Sequence, residues 1–468
     1  MWGAELPFDI LGSIFLLCID NRQFIVPQSF SGSRVPVDPR IVLSCVCSYW
    51  RSVALRTSAL WRDILLELDS PQVIFVANQV LPRAQGRPLR LAARRSRFQN
   101  RAPPNPSPED FINTIIVPYA QHLKALELFV PFPLIKPILA LIHKVRFPAL
   151  EVLSLRQASV GTITSFSVDT TSPPINVKTL ELDVRWSKPL LENSVGLPLG
   201  MAPWSQLTTF VNLNAMPIRT FAGILSLCPL LESCAVYLEF FNGPPWFPQI
   251  TAAFLERLHI RFTHTTWWDQ FLKESFSLPS IRDLALKVDK EGLGWTSELN
   301  DFLCNQCGSQ LERLYVASRE NRYVFDTGLR NFESFLQKHA FSLRQLYLPM
   351  FTQTIIFDVE SIRRLVSREL CPCLERLWLE NLNWPPSLDR LSAVAEGVKD
   401  SMNSTRGALR ELHVICYYHH LVNRPVEKAM NAMIQEFSST GIKFRVSHFD
   451  YKNFNLATQE KDWFGYLV

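Results

Sequence analysis

The amino-acid sequence predicts an α/β solenoid, strands alternating with helices, behind a small helical module, and three observations carry that expectation. One short phrase recurs eleven times from residue 123 onward. Its copies start 24 to 35 residues apart, the interval of a structural repeat. Within each phrase the apolar residues alternate as in a strand, and between phrases they return at helical spacing.

In chain order, residues 1–68 are assigned to the helical module. "LPFDILGSIFLLC" sets Leu6, Ile10, Leu11, Ile14 and Phe15 at helical spacing. Asp38 and Pro39, an N-cap and a first-turn proline, open a second helical stretch carrying Leu43, Val46, Cys47, Trp50, Val53 and Ala54 on one stripe. Residues 20–38 between them are expected to be an inserted surface loop. Two or three short helices make a very small core, which leans on a neighbour for stability.

Residues 69–118 are expected to hold a linker helix, an edge strand at "PLRLA" from Pro88, and an Arg/Pro-rich segment. Seven arginines stand between Arg83 and Arg101 with no acid among them. With one aromatic, Phe98, and no nucleic-acid reader module, the stretch is assigned to a solvated linker. Ser107 and Pro108 start a helix carrying Phe111, Ile112, Ile115 and Ile116, which Pro118 ends.

Residues 119–448 hold the repeats: "LKALEL" from Leu123, "LEVLSL" from Leu150, "VKTLEL" from Val177, "LTTFVN" from Leu207, "LESCAV" from Leu231, "LERLHI" from Leu255, "IRDLAL" from Ile281, "LERLYV" from Leu311, "LRQLYL" from Leu343, "LERLWL" from Leu374 and "LRELHV" from Leu409. Between them Ile135, Ile138, Leu139 and Ile142, then Phe221, Ile224, Leu225 and Cys228, then Ile362, Leu365, Val366 and Leu370, form helical stripes. A single unit cannot bury its apolar face alone, so stacking stabilises the array and the ends need covering. "IKFRVSHF" from Ile442 is the expected C-terminal edge strand, and residues 449–468 are an aromatic tail able to fold back over the strands.

With 47% apolar and 19% charged residues the chain has material for a packed core, and a net charge of +5 demands neither a nucleic-acid nor a membrane partner. The longest apolar run near the N-terminus, Ile14 to Ile19, is far short of the ~20 residues that span a bilayer, and acids stand where a secretory signal carries positive charge. The expected location is cytoplasmic and/or nuclear. Most of the ten cysteines are read as buried thiols, and Cys304 and Cys307 form the only CxxC, with no second pair to complete a zinc site. His419 and His420 have no spaced third ligand. No phosphate-binding glycine loop, HExxH or GxSxG is present, so no enzyme activity and no cofactor are expected.

The repeats, over about residues 120–416, resemble leucine-rich repeats, which implies parallel strands on a concave side and helices on a convex side. The regular Asn or Cys that follows the strand in that pattern is missing, so the loops must satisfy their backbone differently. Leu6-Pro7, Ile10-Leu11, Ile14-Phe15, Val46-Cys47, Trp50-Arg51, Ala54 and Leu60-Trp61 resemble an F-box, and "CPLLE" at Cys228 and "CPCLE" at Cys371 are similar to phrases of fungal F-box proteins with leucine-rich repeats. The resemblance implies docking on a Skp-type adaptor, and through it a cullin, of an SCF-type ubiquitin ligase. Leu6, Pro7, Ile10, Leu11, Ile14, Phe15, Val46, Cys47, Trp50, Leu60 and Trp61 would be the adaptor-binding set. The repeats would hold a protein substrate.

Strand side chains alternate faces, so the residue between the last two apolar positions of each phrase points to the concave side. In the C-terminal half these are His259, Tyr315, Tyr347, Trp378 and His413, with Arg261, Lys287 and Glu380 beside them. They are candidate substrate contacts, unless a helix, the tail or cross-strand packing covers the rings. Two other classes stay open: a repeat scaffold without a ubiquitination role, and an unrecognised hydrolase.

Overall fold

The computed structural model describes residues 6–19, 24–25, 38–68, 73–95, 107–131, 145–157, 176–183, 203–239, 250–263, 276–288, 297–318, 328–349, 359–380, 388–403, 409–418 and 443–450, with isolated positions 135, 137, 138, 428, 431, 432 and 435. The chain is α/β and divides into two compact units, 1–214 and 215–468. None of the described helices is long and apolar enough to cross a membrane.

The first unit opens with α1 (Phe8–Ile19), α2 (Pro39–Val46) and α3 (Ser48–Arg56). Its sheet then runs in chain order: β1 (Phe24–Ile25), β2 (Asp63–Glu67), β3 (Leu89–Arg94), β4 (Leu123–Val130), β5 (Val152–Gln157), β6 (Thr179–Asp183) and β7 (Thr209–Pro217), each parallel to the next. Every one of the four phrases in this unit is a strand, and the residue that opens each phrase, Leu123, Leu150, Val177 or Leu207, is buried.

Four expectations are corrected here. "PLRLA" is not an edge, because β3 pairs on both sides, with β2 and β4. Part of the expected loop 20–38 is strand: Phe24 and Ile25 pair with Ile64 and Leu65. The rest of that segment up to residue 37 lies outside the described residues. Residues 39–54 are not one helix, since Cys47 is extended and both ends α2 and caps α3, its Sγ accepting from the Trp50 amide at 3.4 Å. Pro118 does not end its helix: a π turn at Ile112–Ile116 shifts the hydrogen-bond register, and Pro118 sits in a final helical turn, Val117–Tyr119.

The arginine-rich stretch is likewise not a solvated linker over its described part. Arg90 lies 3.5 Å from Asp63 and 3.6 Å from Glu127, and Arg94 pairs with Glu67, all on adjacent strands. Arg83 lies 4.7 Å over the ring of Trp61. Arg97 and Arg101 fall outside the described residues.

In the second unit the sheet runs β8 (Ser233–Glu239), β10 (Arg257–Phe262), β12 (Asp283–Val288), β13 (Arg313–Ser318), β14 (Gln345–Pro349), β15 (Arg376–Glu380), β16 (Glu411–Tyr418) and β17 (Lys443–Asp450), again all parallel. Two-residue strands β9 (Ile250–Thr251) and β11 (Phe276–Ser277) pair separately. All seven phrases of this unit are strands opened by a buried residue, Leu231, Leu255, Ile281, Leu311, Leu343, Leu374 or Leu409. β17 ends the sheet where "IKFRVSHF" predicts an edge, taking the first two residues expected of the tail; residues 451–468 lie outside the described residues. So do Leu139, Ile142, His419 and His420. The other stripe residues, from Ile135 to Leu370, are buried.

Main-chain hydrogen bonds join successive repeats at the entry to each strand. The carbonyl at the second phrase position accepts two N–H bonds from the next repeat: Glu256 and Arg257 donate to Glu232, Arg282 and Asp283 to Glu256, Glu312 and Arg313 to Arg282, Arg344 and Gln345 to Glu312, Glu375 and Arg376 to Arg344, and Arg410 and Glu411 to Glu375. The side chains at that position pair along the same line, Arg282 with Glu312 at 3.9 Å, Arg344 with Glu375 at 2.8 Å and Arg410 with Glu375 at 3.0 Å.

Burial of one histidine makes this unit sensitive to acid. His339, at the end of the helix Gly328–His339, bonds the Leu303 carbonyl through Nε2 at 3.2 Å and packs 5.0 Å from the Phe335 ring. Its buried Nδ1 has no hydrogen-bond partner. Desolvation, against the raising effect of that carbonyl and with help from nearby Lys338, holds the imidazole below its ordinary value of 6.5. Lowering the folded-state value favours the neutral form, so the contribution is fully present above about pH 6.5 and is lost as pH falls below it. Denaturant midpoints measured from pH 7.5 to 5.5 are expected to fall more steeply for the wild type than for His339→Gln; parallel slopes exclude this residue as the cause.

Candidate interaction surfaces

The helical module is built around aromatic residues and anchored by hydrogen bonds to main-chain carbonyls. Leu11, Phe15 and Ile19 of α1 are buried, with the Phe15 ring 5.1 Å from that of Trp50. Gly12 allows close approach to the end of α3: a Cβ there would stand 3.1 Å from Thr57 Oγ1. Trp61 Nε1 donates to the Ala54 carbonyl at 2.9 Å, and buried Arg40 donates from Nε to the Leu60 carbonyl at 2.7 Å while pairing with Asp38 at 2.9 Å. The Tyr49 hydroxyl donates to the Leu6 carbonyl at 2.8 Å, which holds the Leu6-Pro7 corner.

The expected adaptor set therefore divides. Leu11, Phe15, Leu60 and Trp61 are 0 to 2% exposed and cannot face a partner; they hold the module together. Trp50 is half-buried. Leu6, Pro7, Ile10, Ile14, Val46 and Cys47 are exposed. Ile10 at 51%, Ile14 at 38% and Leu17 at 82% follow one another at i, i+4 and i+7 along α1. On α2, Ile41, Val42 and Val46 are exposed as well, at 37%, 51% and 56%. Leu17, Ile41 and Val42 escape the sequence reading, because an apolar stripe shows that a helix buries a face without showing which of two apolar faces already has a partner. Each such side chain is worth about 1.5–3 kcal/mol when fully buried, so leaving several uncovered on short helices is costly in isolation.

The second unit carries the other surface. Ala235, His259, Ala285, Tyr315, Tyr347, Trp378, His413 and Arg445 stand at one register level across eight strands. Tyr315, Tyr347, Trp378 and His413 are partly exposed, and the Tyr315 and Tyr347 rings stack 3.9 Å apart at 13°. His259 is 7% exposed and its Nε2 lies 3.4 Å from Asp283, which also pairs with Arg313 at 2.9 Å. It belongs to the sheet's internal network and is removed from the candidate contacts. Arg261 lies 4.7 Å over the Tyr237 ring. Glu380 keeps its register place beside Pro349 and Ile415.

Among the described residues, Cys228, Cys234, Cys307 and Cys371 of the repeats are buried packing groups. Burial pushes the Cys228 and Cys371 thiols up to about 12 and raises Cys234, Cys304 and Cys307 as well, so none supplies a thiolate near neutral pH. No family model and no curated protein matches this chain.

Proposed function

We propose that the chain is a non-catalytic substrate-recognition subunit of an SCF-type ubiquitin ligase, docking a Skp-type adaptor through its helical module and a protein target through leucine-rich repeats. The observation that carries the reading is the uncovered apolar face of α1 and α2. A module whose inner side chains are spent on its own core, yet which keeps Leu6, Pro7, Ile10, Ile14 and Val46 outward, supports a stable partner on that side. A standard protein interface buries about 1,600 Å² in total, within reach of two short helices and their flanks. The leucine-rich-repeat assignment is supported by eleven phrases forming parallel strands with a buried opening residue.

Point variants test this better than truncation, because residues 1–68 contain β1 and β2 of the sheet. Leu6→Ala combined with Pro7→Ala is expected to lower adaptor co-purification at least about tenfold, a loss of ~1.4 kcal/mol. Circular dichroism of the variant is expected to match the wild type. Undiminished capture would remove the adaptor from the reading. Polyubiquitin on proteins captured with the wild type, absent with the double variant, separates a ligase subunit from a scaffold.

A further inference from the structure

The row of residues two positions before the aromatic level is patterned by charge. Across β10, β12, β13, β14, β15 and β16 it reads Arg257, Asp283, Arg313, Gln345, Arg376 and Glu411, a cation on β10, β13 and β15. The two signs are not equally presented. The side chains of Arg313 and Arg376 are 45% and 47% exposed, whereas those of Asp283 and Glu411, at 2.9 and 3.8 Å from them, are each 13% exposed. Arg257 is exposed too. The carboxylates thus orient the guanidinium groups from beneath, and what meets solvent is positive.

We infer that this sheet face binds an acidic, proline-rich polypeptide segment in the polyproline II conformation, with a carboxylate at every third residue seated on Arg257, Arg313 and Arg376. The argument is one of pitch. Neighbouring strands are about 4.8 Å apart, so cations on every second strand recur at about 9.6 Å. A polyproline II chain rises about 3.1 Å per residue with three residues per turn, returning the same face every ~9.3 Å. Guanidinium forks pair with carboxylates through charge-assisted hydrogen bonds, and the adjoining level of Tyr315, Tyr347 and Trp378 supplies the aromatic lining on which prolines pack. A polypeptide is favoured over a nucleic acid because the Tyr315 and Tyr347 rings already stack on each other 3.9 Å apart, which takes those faces away as platforms for bases.

The inference deepens the receptor reading by naming the class of target, and rests on it only for biological meaning. Its test is fluorescence anisotropy of the full chain with a labelled peptide of four Glu-Pro-Pro triplets, a peptide of the same composition with its glutamates clustered, and a single-stranded oligonucleotide of equal charge. The regular peptide is expected to bind at least about tenfold tighter than the clustered one, and Arg376→Ala to weaken it about tenfold. Arg257→Glu, at an exposed position, is the variant expected to lose binding with an unchanged melting profile. Equal affinity for the two peptides, tighter binding of the oligonucleotide, or full binding by Arg257→Glu would each overturn the inference. Adaptor capture measured on the same preparations keeps the two ideas apart: peptide binding without capture leaves this site standing and the ligase reading not.

Discussion

Replacing Trp61 with alanine is expected to destabilise the first unit by about 3–5 kcal/mol, the range for emptying a large buried aromatic site. The indole is 2% exposed, donates to the Ala54 carbonyl at 2.9 Å, and has the Arg83 guanidinium 4.7 Å over its ring. Its loss therefore removes packing, a hydrogen bond and a cation–π contact together, and unties the end of α3 from the segment that follows. For a unit of this size the melting transition is expected to drop on the order of 10 °C. Trp61→Phe keeps most of the volume but leaves the Ala54 carbonyl without its donor, at about 1–2 kcal/mol. Adaptor capture is expected to fall with Trp61→Ala although the side chain touches no partner. A thermal shift under about 2 °C would mean that Trp61 does not anchor the module.

The second large effect is expected at Gly308. A Cβ built there would lie 1.9 Å from the Pro279 carbonyl oxygen and 2.8 Å from its carbon, main-chain atoms that cannot swing aside. The Gly308 amide donates to the Leu278 carbonyl at 3.1 Å, and Leu278 in turn bridges Cys307, so the two loops are locked at this separation. Gly308→Ala forces them apart and is expected to cost at least about 3 kcal/mol, the upper end of overpacking. Gly223, inside the helix Ile218–Leu227, is the matched control, since a Cβ there meets nothing within 4 Å. Gly223→Ala is expected to stabilise by up to about 1 kcal/mol through helix propensity. Urea midpoints moving in opposite directions would bear out the contrast, and equal shifts would refute it.

The repeats were legible because they carry their own punctuation: a buried opener, in ten of the eleven copies a charged residue after it, then alternation that survives substitution of any one copy. The start of the sheet was not. In β2, "DILLE", four of five residues are buried, so the strand lacks the one-sided alternation that reveals the others. β1 has two residues and no period at all. The pairing of Arg90 and Arg94 with Asp63, Glu127 and Glu67 joins residues 27 to 37 positions apart, a relation that no local reading of an arginine run contains. The break at Cys47 was hidden because cysteine is not among the usual cap residues, and the stripe through Leu43, Val46 and Trp50 continues past it at helical spacing. The candidate residues on α1 were correctly placed on a helix, but periodicity could not divide Leu11 and Phe15 from Ile10 and Ile14.

The charges that line the entrance to successive strands have a consequence for how such a chain can change length. From Glu256 the order is Glu256, Arg282, Glu312, Arg344, Glu375, Arg410, strictly alternating in sign. Excising the stretch that holds Arg282 would bring two glutamates side by side, and duplicating it would juxtapose two arginines. Removal or gain of two consecutive stretches preserves the alternation. An odd change in strand number therefore sets like charges side by side along this line, at a cost of up to about 1 kcal/mol for an exposed pair, and an even change does not.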